Sequence, residues 1–268
     1  MELEFEVLGD DGAEVILLVN GLGAQMTRWP GLSEALVERG YRVVRFDNRD
    51  VGLSTWPQTS YTLSEMASDA VAVLDAANVR RAHVAGVSLG GMIAQRLAID
   101  FPDRVLSLTS IMSATGADLG PLSTPEVNAA LGQPMPDPRT DLEGYLAASV
   151  ERARVIGSRR NAFTDAEIRE RDLLAFQRGY NPAGSVRQRQ AIAADGDRTE
   201  ALGRLEIPVV VLHGEDDPLV AVAAGRASAE AIPGAELRIV PGMGHDVTPR
   251  FYGEFVDAIL AAARKVKS

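Results

Sequence analysis

The segment Gly86-Val87-Ser88-Leu89-Gly90 places a serine between two glycines, after an apolar run and before a helix-like segment. This is the G-x-S-x-G pattern of a sharp strand-to-helix turn, from which the serine side chain projects at the end of a sheet. We expect side chains at Gly86 and Gly90 to collide with neighbouring backbone, so glycine is needed at both. Glycine-rich turns without chemistry share this pattern, so a role for Ser88 depends on its partners.

A serine hydroxyl is a poor nucleophile at neutral pH and needs a base, which in turn needs an orienting acid. In catalytic examples of this turn the partners follow in the order Ser, Asp or Glu, His. The chain has three histidines. His83 lies in the run before Ser88 and is predicted to be packed in a strand, and His213 precedes an acidic turn. The order selects His245, which follows that turn.

The acidic turn Gly214-Glu215-Asp216-Asp217-Pro218 offers two aspartates as the orienting acid. Pro218 disfavours the helical region for Asp217 and holds it at an extended angle. We therefore favour Asp217, with Asp216 as the alternative. His245 ends the loop Pro241-Gly242-Met243-Gly244-His245, which follows the apolar segment Leu237–Val240.

A second glycine-rich loop, Asn20-Gly21-Leu22-Gly23, follows the apolar segment Val15–Val19. Acyl transfer requires N–H donors aimed at the oxyanion that develops in the transition state. We expect the backbone N–H groups of Leu22 and Leu89 to form this oxyanion hole, unless the loop is an ordinary glycine turn. The residues expected to line the substrate pocket are Asn20, Gly21, Gly23 and Met92.

These motifs resemble those of the α/β-hydrolase superfamily and extend from Val15 to His245. The superfamily's His-Gly-x-Gly loop has Asn20 in place of the histidine, and its acid stands three residues after the strand-end glycine, at Asp217. The run of residues 45–54 is similar to the superfamily's D-x-R-G-x-G-x-S turn, with Asp50 where many members have glycine. This variant and the Pro-Gly-Met-Gly-His loop resemble the branch containing aclacinomycin methylesterase.

The resemblance implies a serine esterase that cleaves small-molecule carboxylic esters through an acyl-enzyme formed by Ser88, His245 and Asp217. It implies no cofactor and no metal. The same residues would serve a lactonase, a polyketide methylesterase, a proline iminopeptidase, a cofactor-free perhydrolase or a carbon–carbon bond hydrolase. A non-catalytic ligand receptor on the same fold is a further alternative. Epoxide hydrolases and haloalkane dehalogenases are disfavoured because they carry aspartate at the position of Ser88.

The elements that must position these residues alternate between strands and helices, which predicts a mostly parallel sheet flanked by helices. Such sheets carry their sites at the carboxyl ends of the strands. The predicted strands are Val15–Val19, Tyr41–Phe46, Ala82–Gly86, Val105–Ile111, Val209–Leu212 and Leu237–Val240. The predicted helices are Gly31–Arg39, Thr62–Ala77, Met92–Asp100 and Phe251–Arg264.

The alternation stops in the middle of the chain, where proline-rich turns lead into amphipathic stretches at Leu142–Ile156 and Asp165–Arg178. We expect an all-helical cap over residues 115–198, inserted into an α/β-hydrolase core of residues 1–114 and 199–268. From Glu151 to Gln190 nine arginines face five acidic residues. These arginines are interpreted as solvated helix faces, or alternatively as an attraction for anionic substrates.

Composition limits the other function classes. The formal net charge of −10 argues against a nucleic-acid binder, and the absence of cysteine rules out disulfides and thiolate chemistry. The acidic segment of residues 1–6 is unlike a signal peptide, and no apolar run approaches the ~20 residues of a membrane span. We expect a soluble cytoplasmic protein without a membrane partner; the sequence does not indicate its oligomeric state.

Overall fold

The computed structural model describes residues 1–29, 31–159 and 162–266. Seven strands form one sheet in the order β1-β3-β2-β4-β5-β6-β7. The antiparallel pair is β1 with β3, and every other neighbouring pair is parallel. The strands are β1 Phe5–Leu8, β2 Val15–Val19, β3 Arg42–Phe46, β4 Ala82–Val87, β5 Val105–Ile111, β6 Val209–Gly214 and β7 Glu236–Val240.

Ten α-helices are described alongside the sheet. Those of the first half are α1 Leu32–Val37, α2 Leu63–Ala76, α3 Leu89–Asp100, α4 Pro125–Gly132 and α5 Leu142–Ile156. Those of the second half are α6 Asp165–Arg178, α7 Pro182–Asp195, α8 Thr199–Leu202, α9 Val222–Ala231 and α10 Tyr252–Ala263. The predicted mostly parallel sheet flanked by helices is confirmed.

The central strands are buried on both faces, as expected for a parallel sheet covered by helices. Alternate residues of β2 enter two separate cores: Leu17 packs with α2 and α3, whereas Ile16 and Leu18 pack with α1 and α10. Because both faces are covered, the carboxyl edge of the sheet remains as the place for loops that carry chemistry.

Besides α4, α7 and α8, which were not predicted by range, three elements differ from the sequence prediction. The structure adds β1, a four-residue strand that pairs at the sheet edge and is only half-buried. It adds α9, whose alanine-rich sequence gives a weak apolar pattern. Helix α3 begins at Leu89 and not at Met92, because the chain turns directly from Ser88 into the helix.

Between β5 and β6 the described residues form helices α4 to α8 and no strand. Four of these helices begin at side-chain caps, namely Thr124, Asp141, Thr164 and Asn181. Each cap accepts a hydrogen bond from a backbone N–H that lacks a helical partner. The cap boundaries at 115 and 198 stay a prediction. No helix in the described part of the chain is long and apolar enough to cross a membrane.

Candidate active site

Ser88 lies between β4 and α3 in a conformation that residues with side chains rarely adopt, with φ 56° and ψ −120°. Its N–H donates to Ile111 O at 2.8 Å. The Ser113 hydroxyl donates to Ser88 O at 2.9 Å. Since Ile111 ends β5 and Ser113 follows it, the neighbouring strand holds the turn in this strained shape.

Glycine is required at positions 86 and 90 because a side chain there would collide with neighbouring backbone. A Cβ on Gly86 would lie 2.0 Å from Gly90 O, and one on Gly90 would lie 2.1 Å from Val19 O. These distances confirm the predicted collisions. A Cβ on Gly21 would lie 3.4 Å from Ser88 Cβ, so the loop after β2 rests against the serine.

The backbone N–H groups expected in the oxyanion hole are available. Across residues 1–29, 31–159 and 162–266, neither the Leu22 N–H nor the Leu89 N–H makes a hydrogen bond. Leu89 is the first residue of α3, and first-turn N–H groups have no acceptor within their helix. The neighbouring Gly23 N–H, in contrast, donates to Gln188 Oε1 at 2.8 Å. Both N–H groups therefore lack a protein acceptor among these residues, and the oxyanion hole stays a prediction.

The other predicted pocket residues differ in their surroundings. Asn20 is buried, and its side-chain amide donates to Phe46 O at 3.2 Å, which ties the loop after β2 to β3. Asn48 in turn donates to Asn20 O at 3.0 Å. Met92 packs partly buried against the core. Gly23 lines an open pocket with about 130 Å³ of internal space.

The structure brings Asp217, and not Asp216, to His245. Asp217 Oδ2 lies 2.7 Å from His245 Nδ1. Asp217 Oδ1 accepts the N–H groups of Leu219 and Val220 at 2.9 and 2.8 Å. Asp216 is exposed. A carboxylate can only accept hydrogen bonds, so Nδ1 of His245 carries a proton and Nε2 is left as the basic atom.

Ser88 and His245 lie at the same sheet edge, after β4 and β7. Within the described residues no hydrogen bond joins the Ser88 hydroxyl to His245. Catalytic hydrogen bonds are often long without substrate and tighten when it binds. The geometry thus contains an oriented histidine and a partly buried, strained serine at the same sheet edge.

His213 lies beneath the aspartate, fully buried in β6. Its Nε2 donates to Val220 O at 2.7 Å and lies 3.6 Å from Asp217 Oδ2. Burial lowers the pKa of His213, which keeps the ring neutral. The ring fits because Gly225 has no side chain: a Cβ there would lie 2.5 Å from His213 Nδ1. The ring therefore supports the turn around Asp217 and cannot reach a substrate.

Two open pockets are lined by residues of the insertion helices and of loops in the core. One is lined by His245 and Asp246 together with Arg28 and Arg171. Burial and the nearby Arg171 charge lower the pKa of Arg28 to about 10. The other pocket, with about 130 Å³ of internal space, extends from Gly23 to an aromatic wall. The aromatic residues of that wall are Tyr145, Phe176 and Tyr180.

Comparison with known proteins decides the family. A family model described as alpha/beta hydrolase fold matches residues 14–248. The rhodomycin D methylesterase DauP of Streptomyces sp. (strain C5) is 32% identical over an alignment that covers 97% of this chain and 94% of that protein. The chain belongs to the α/β-hydrolase fold family.

Further relatives of this α/β-hydrolase include 3-oxoadipate enol-lactonase 2 of Acinetobacter baylyi, 25% identical over 96% of this chain and 92% of the lactonase. A solved hydrolase from Pseudomonas aeruginosa superposes with a TM-score of 0.74 at 28% identity, covering 97% of this chain and 94% of that one. The resemblance inferred from the sequence motifs is confirmed by these matches.

Sequence reasoning missed the role of the insertion's arginines in this α/β-hydrolase. Arg178 pairs with Asp47 at 2.7 Å, and Arg187 pairs with Asp50 at 2.5 Å. Both carboxylates are 0% exposed. Three more insertion arginines pair with insertion acids, namely Arg154, Arg169 and Arg171. These five charges are matched by carboxylates, whereas Arg152, Arg159 and Arg189 form no ion pair within the described residues. Attraction of anionic substrates stays a prediction; Arg160 lies outside the described residues.

In the sequence, the one indication of these ion pairs was Asp50, which stands where many members of the superfamily have glycine. Its φ is 72°, which a glycine adopts more easily. The carboxylate accepts from Tyr61 Oη and Asn181 Nδ2, both at 2.9 Å, as well as from Arg187. The strained aspartate thus anchors α7 to the core.

Replacing Arg187 with glutamine is expected to lower the free energy of unfolding by about 3 kcal/mol, the lower end for breaking a buried ion pair. The lower end applies because Tyr61 and Asn181 still donate to Asp50. Urea unfolding measures the change. Arg189→Gln is the matched control on the exposed side of α7; equal losses in the two variants would contradict the anchoring role.

Proposed function

We propose that this hydrolase is a serine esterase that cleaves carboxylic esters through Ser88, His245 and Asp217. The observation that carries the proposal is the 2.7 Å hydrogen bond between Asp217 Oδ2 and His245 Nδ1. It leaves the other ring nitrogen as a base at the sheet edge where Ser88 projects. The methylesterase and enol-lactonase names of the relatives support ester-cleaving chemistry.

In the proposed reaction His245 Nε2 takes the Ser88 hydroxyl proton while Ser88 Oγ attacks the ester carbonyl carbon. The tetrahedral oxyanion accepts the N–H groups of Leu22 and Leu89, each such donor contributing ~10²–10³ in rate. His245 then gives its proton to the departing alcohol, which leaves an acyl-enzyme on Ser88. Water, deprotonated by His245, attacks that ester, and His245 returns the proton to Ser88 Oγ as the acid leaves.

Residues 115–198 would act as a cap in this reaction. Its helices line the two pockets, and exclusion of water protects the acyl-enzyme and strengthens the electrostatic contacts within the site. The prediction of a cytoplasmic protein stays a prediction.

A methyl ester of an aromatic polycyclic acid is the second candidate substrate class. Tyr145 and Tyr180 meet edge to face at 5.8 Å between ring centroids, and Phe176 and Tyr180 at 6.1 Å. Such edges offer contact to a flat aromatic ring. The name of the rhodomycin D methylesterase relative supports a methyl ester as the bond cleaved.

The test compares p-nitrophenyl esters from acetate to dodecanoate with a naphthoic acid methyl ester. We expect turnover of at least one class, and an organophosphate adduct on the peptide that carries Ser88. The preferred acyl length would measure the pocket, and faster methyl-ester turnover would favour the second candidate. If the protein showed no turnover of either ester class and no labelling of Ser88, that result would contradict the esterase proposal and favour a ligand receptor.

A further inference from the structure

The end of helix α5 is hydrogen-bonded to Gly244, His245 and Asp246, which lie in the loop after β7, here called the histidine loop. The His245 N–H donates to Ile156 O at 2.8 Å. The Gly244 N–H donates to Ser158 Oγ at 2.9 Å. The Ser158 hydroxyl and N–H donate to the Asp246 carboxylate at 2.5 and 3.1 Å. Residues 156–158, here called the α5-end segment, therefore hold the backbone on both sides of the histidine.

The two backbones also approach too closely for side chains. A Cβ on Gly244 would lie 2.4 Å from Gly157 C, and one on Gly157 would lie 2.8 Å from Asp246 Oδ2. Ser158 is 4% exposed. The contact is thus close, largely dry and formed by segments almost ninety residues apart.

The Asp246 carboxylate makes this contact energetically important. Burial raises its pKa, while the two Ser158 donors and the charges of His245 and Arg28 lower it. A buried carboxylate that loses a donor remains under-solvated, which costs more than an ordinary hydrogen bond. Loss of the Ser158 hydroxyl also leaves the Gly244 N–H without its acceptor. Separating Asp246 from the α5-end segment would therefore leave buried polar groups without hydrogen-bond partners, which favours the docked arrangement.

We propose that Ser158 and Asp246 are positioning residues, which fix the backbone of His245 so that its ring meets both Asp217 and Ser88. Asp217 sets the ring orientation from one side, and the α5-end segment sets the backbone from the other. The catalytic base is then in place only while the end of α5 is docked. This inference rests on the proposed esterase function for its kinetic consequence.

The test uses Ser158→Ala and Asp246→Asn in the full chain, with Ser68→Ala and Asp257→Asn as exposed controls. We expect each test variant to lower kcat by ~10- to 100-fold, the effect of a displaced catalytic group, with KM within about twofold. The combined variant should lose no more than the worse single variant, because the two residues act as one unit. Amide hydrogen exchange of Gly244 and His245 should accelerate.

Kinetics are read well below each unfolding midpoint, so that a merely structural role would lower the midpoint and leave kcat intact. Unchanged kcat, or lowered kcat with wild-type exchange at Gly244 and His245, would overturn the proposal. Absence of Ser88-dependent turnover in the wild-type chain would instead reject the esterase function. The exchange measurement would still report whether Ser158 holds the histidine loop.

Discussion

Ser88→Ala is expected to lower kcat by ~10⁶-fold, the loss seen when the nucleophile of a serine triad is removed. Alanine keeps the Cβ that already fits the turn at φ 56°, so the fold around Gly86 and Gly90 should survive. The variant lacks the hydroxyl oxygen that would carry the acyl group. Steady-state hydrolysis of the best ester, together with organophosphate labelling, measures the effect.

The control for this prediction is Ser68→Ala, which removes a hydroxyl from the exposed face of α2. It should keep wild-type turnover and labelling. Residual activity of more than ~1% in Ser88→Ala would mean that water, and not the serine, attacks the ester, since triad losses are far larger. Circular dichroism and the unfolding midpoint would establish that both variants are folded.

Ser88 and its surroundings could be predicted because the signal is local. The collisions at Gly86 and Gly90 follow from one turn, and the order of Asp217 and His245 follows from the strand pattern. The strands β2 and β5 have the predicted bounds: β2 is an uninterrupted apolar run, and β5 joins apolar residues with small hydroxyl residues and has neither glycine nor proline. Site residues that follow parallel strands can be predicted to lie close together, because the carboxyl ends of those strands share one edge of the sheet.

The contacts that hold the site together could not be predicted, because they join distant residues. Asp50 and Arg187 are 137 residues apart in the chain, and Ser158 and Asp246 are 88 apart. In the sequence, Arg187 and Ser158 each resemble ordinary polar residues on a solvent-exposed surface. Their burial depends on how the insertion helices dock, which periodicity does not encode.

The edge strand β1 could not be predicted either, because it depends on a pairing partner that is distant in the sequence. Phe5 and Glu6 alternate as in a half-buried strand, but the segment is short and pairs antiparallel with β3 alone. A four-residue segment that follows charged residues resembles an exposed terminus as much as a strand. The pairing partner, which lies about forty residues later, decides between the two.

Asp217→Asn is expected to lower kcat by ~10⁴-fold, as in other triads whose acid becomes an amide. The reason lies in the two backbone N–H groups of Leu219 and Val220, which both donate to Asp217 Oδ1. They require an acceptor there, so asparagine must place its oxygen at that position and its NH₂ toward His245. Nδ1 must then accept, the ring proton moves to Nε2, and Nε2 can no longer take the serine proton.

Asp216→Asn tests the same assignment from the neighbouring residue. Its side chain is exposed and its backbone N–H, which the substitution retains, donates to Met243 O at 3.1 Å. We expect less than a ~10-fold loss in kcat, as for a surface change that leaves the histidine tautomer intact. Reversed losses in the two variants would make Asp216 the acid. Equal small losses would mean that His245 keeps its proton arrangement without a carboxylate, and the 2.7 Å contact would then be structural.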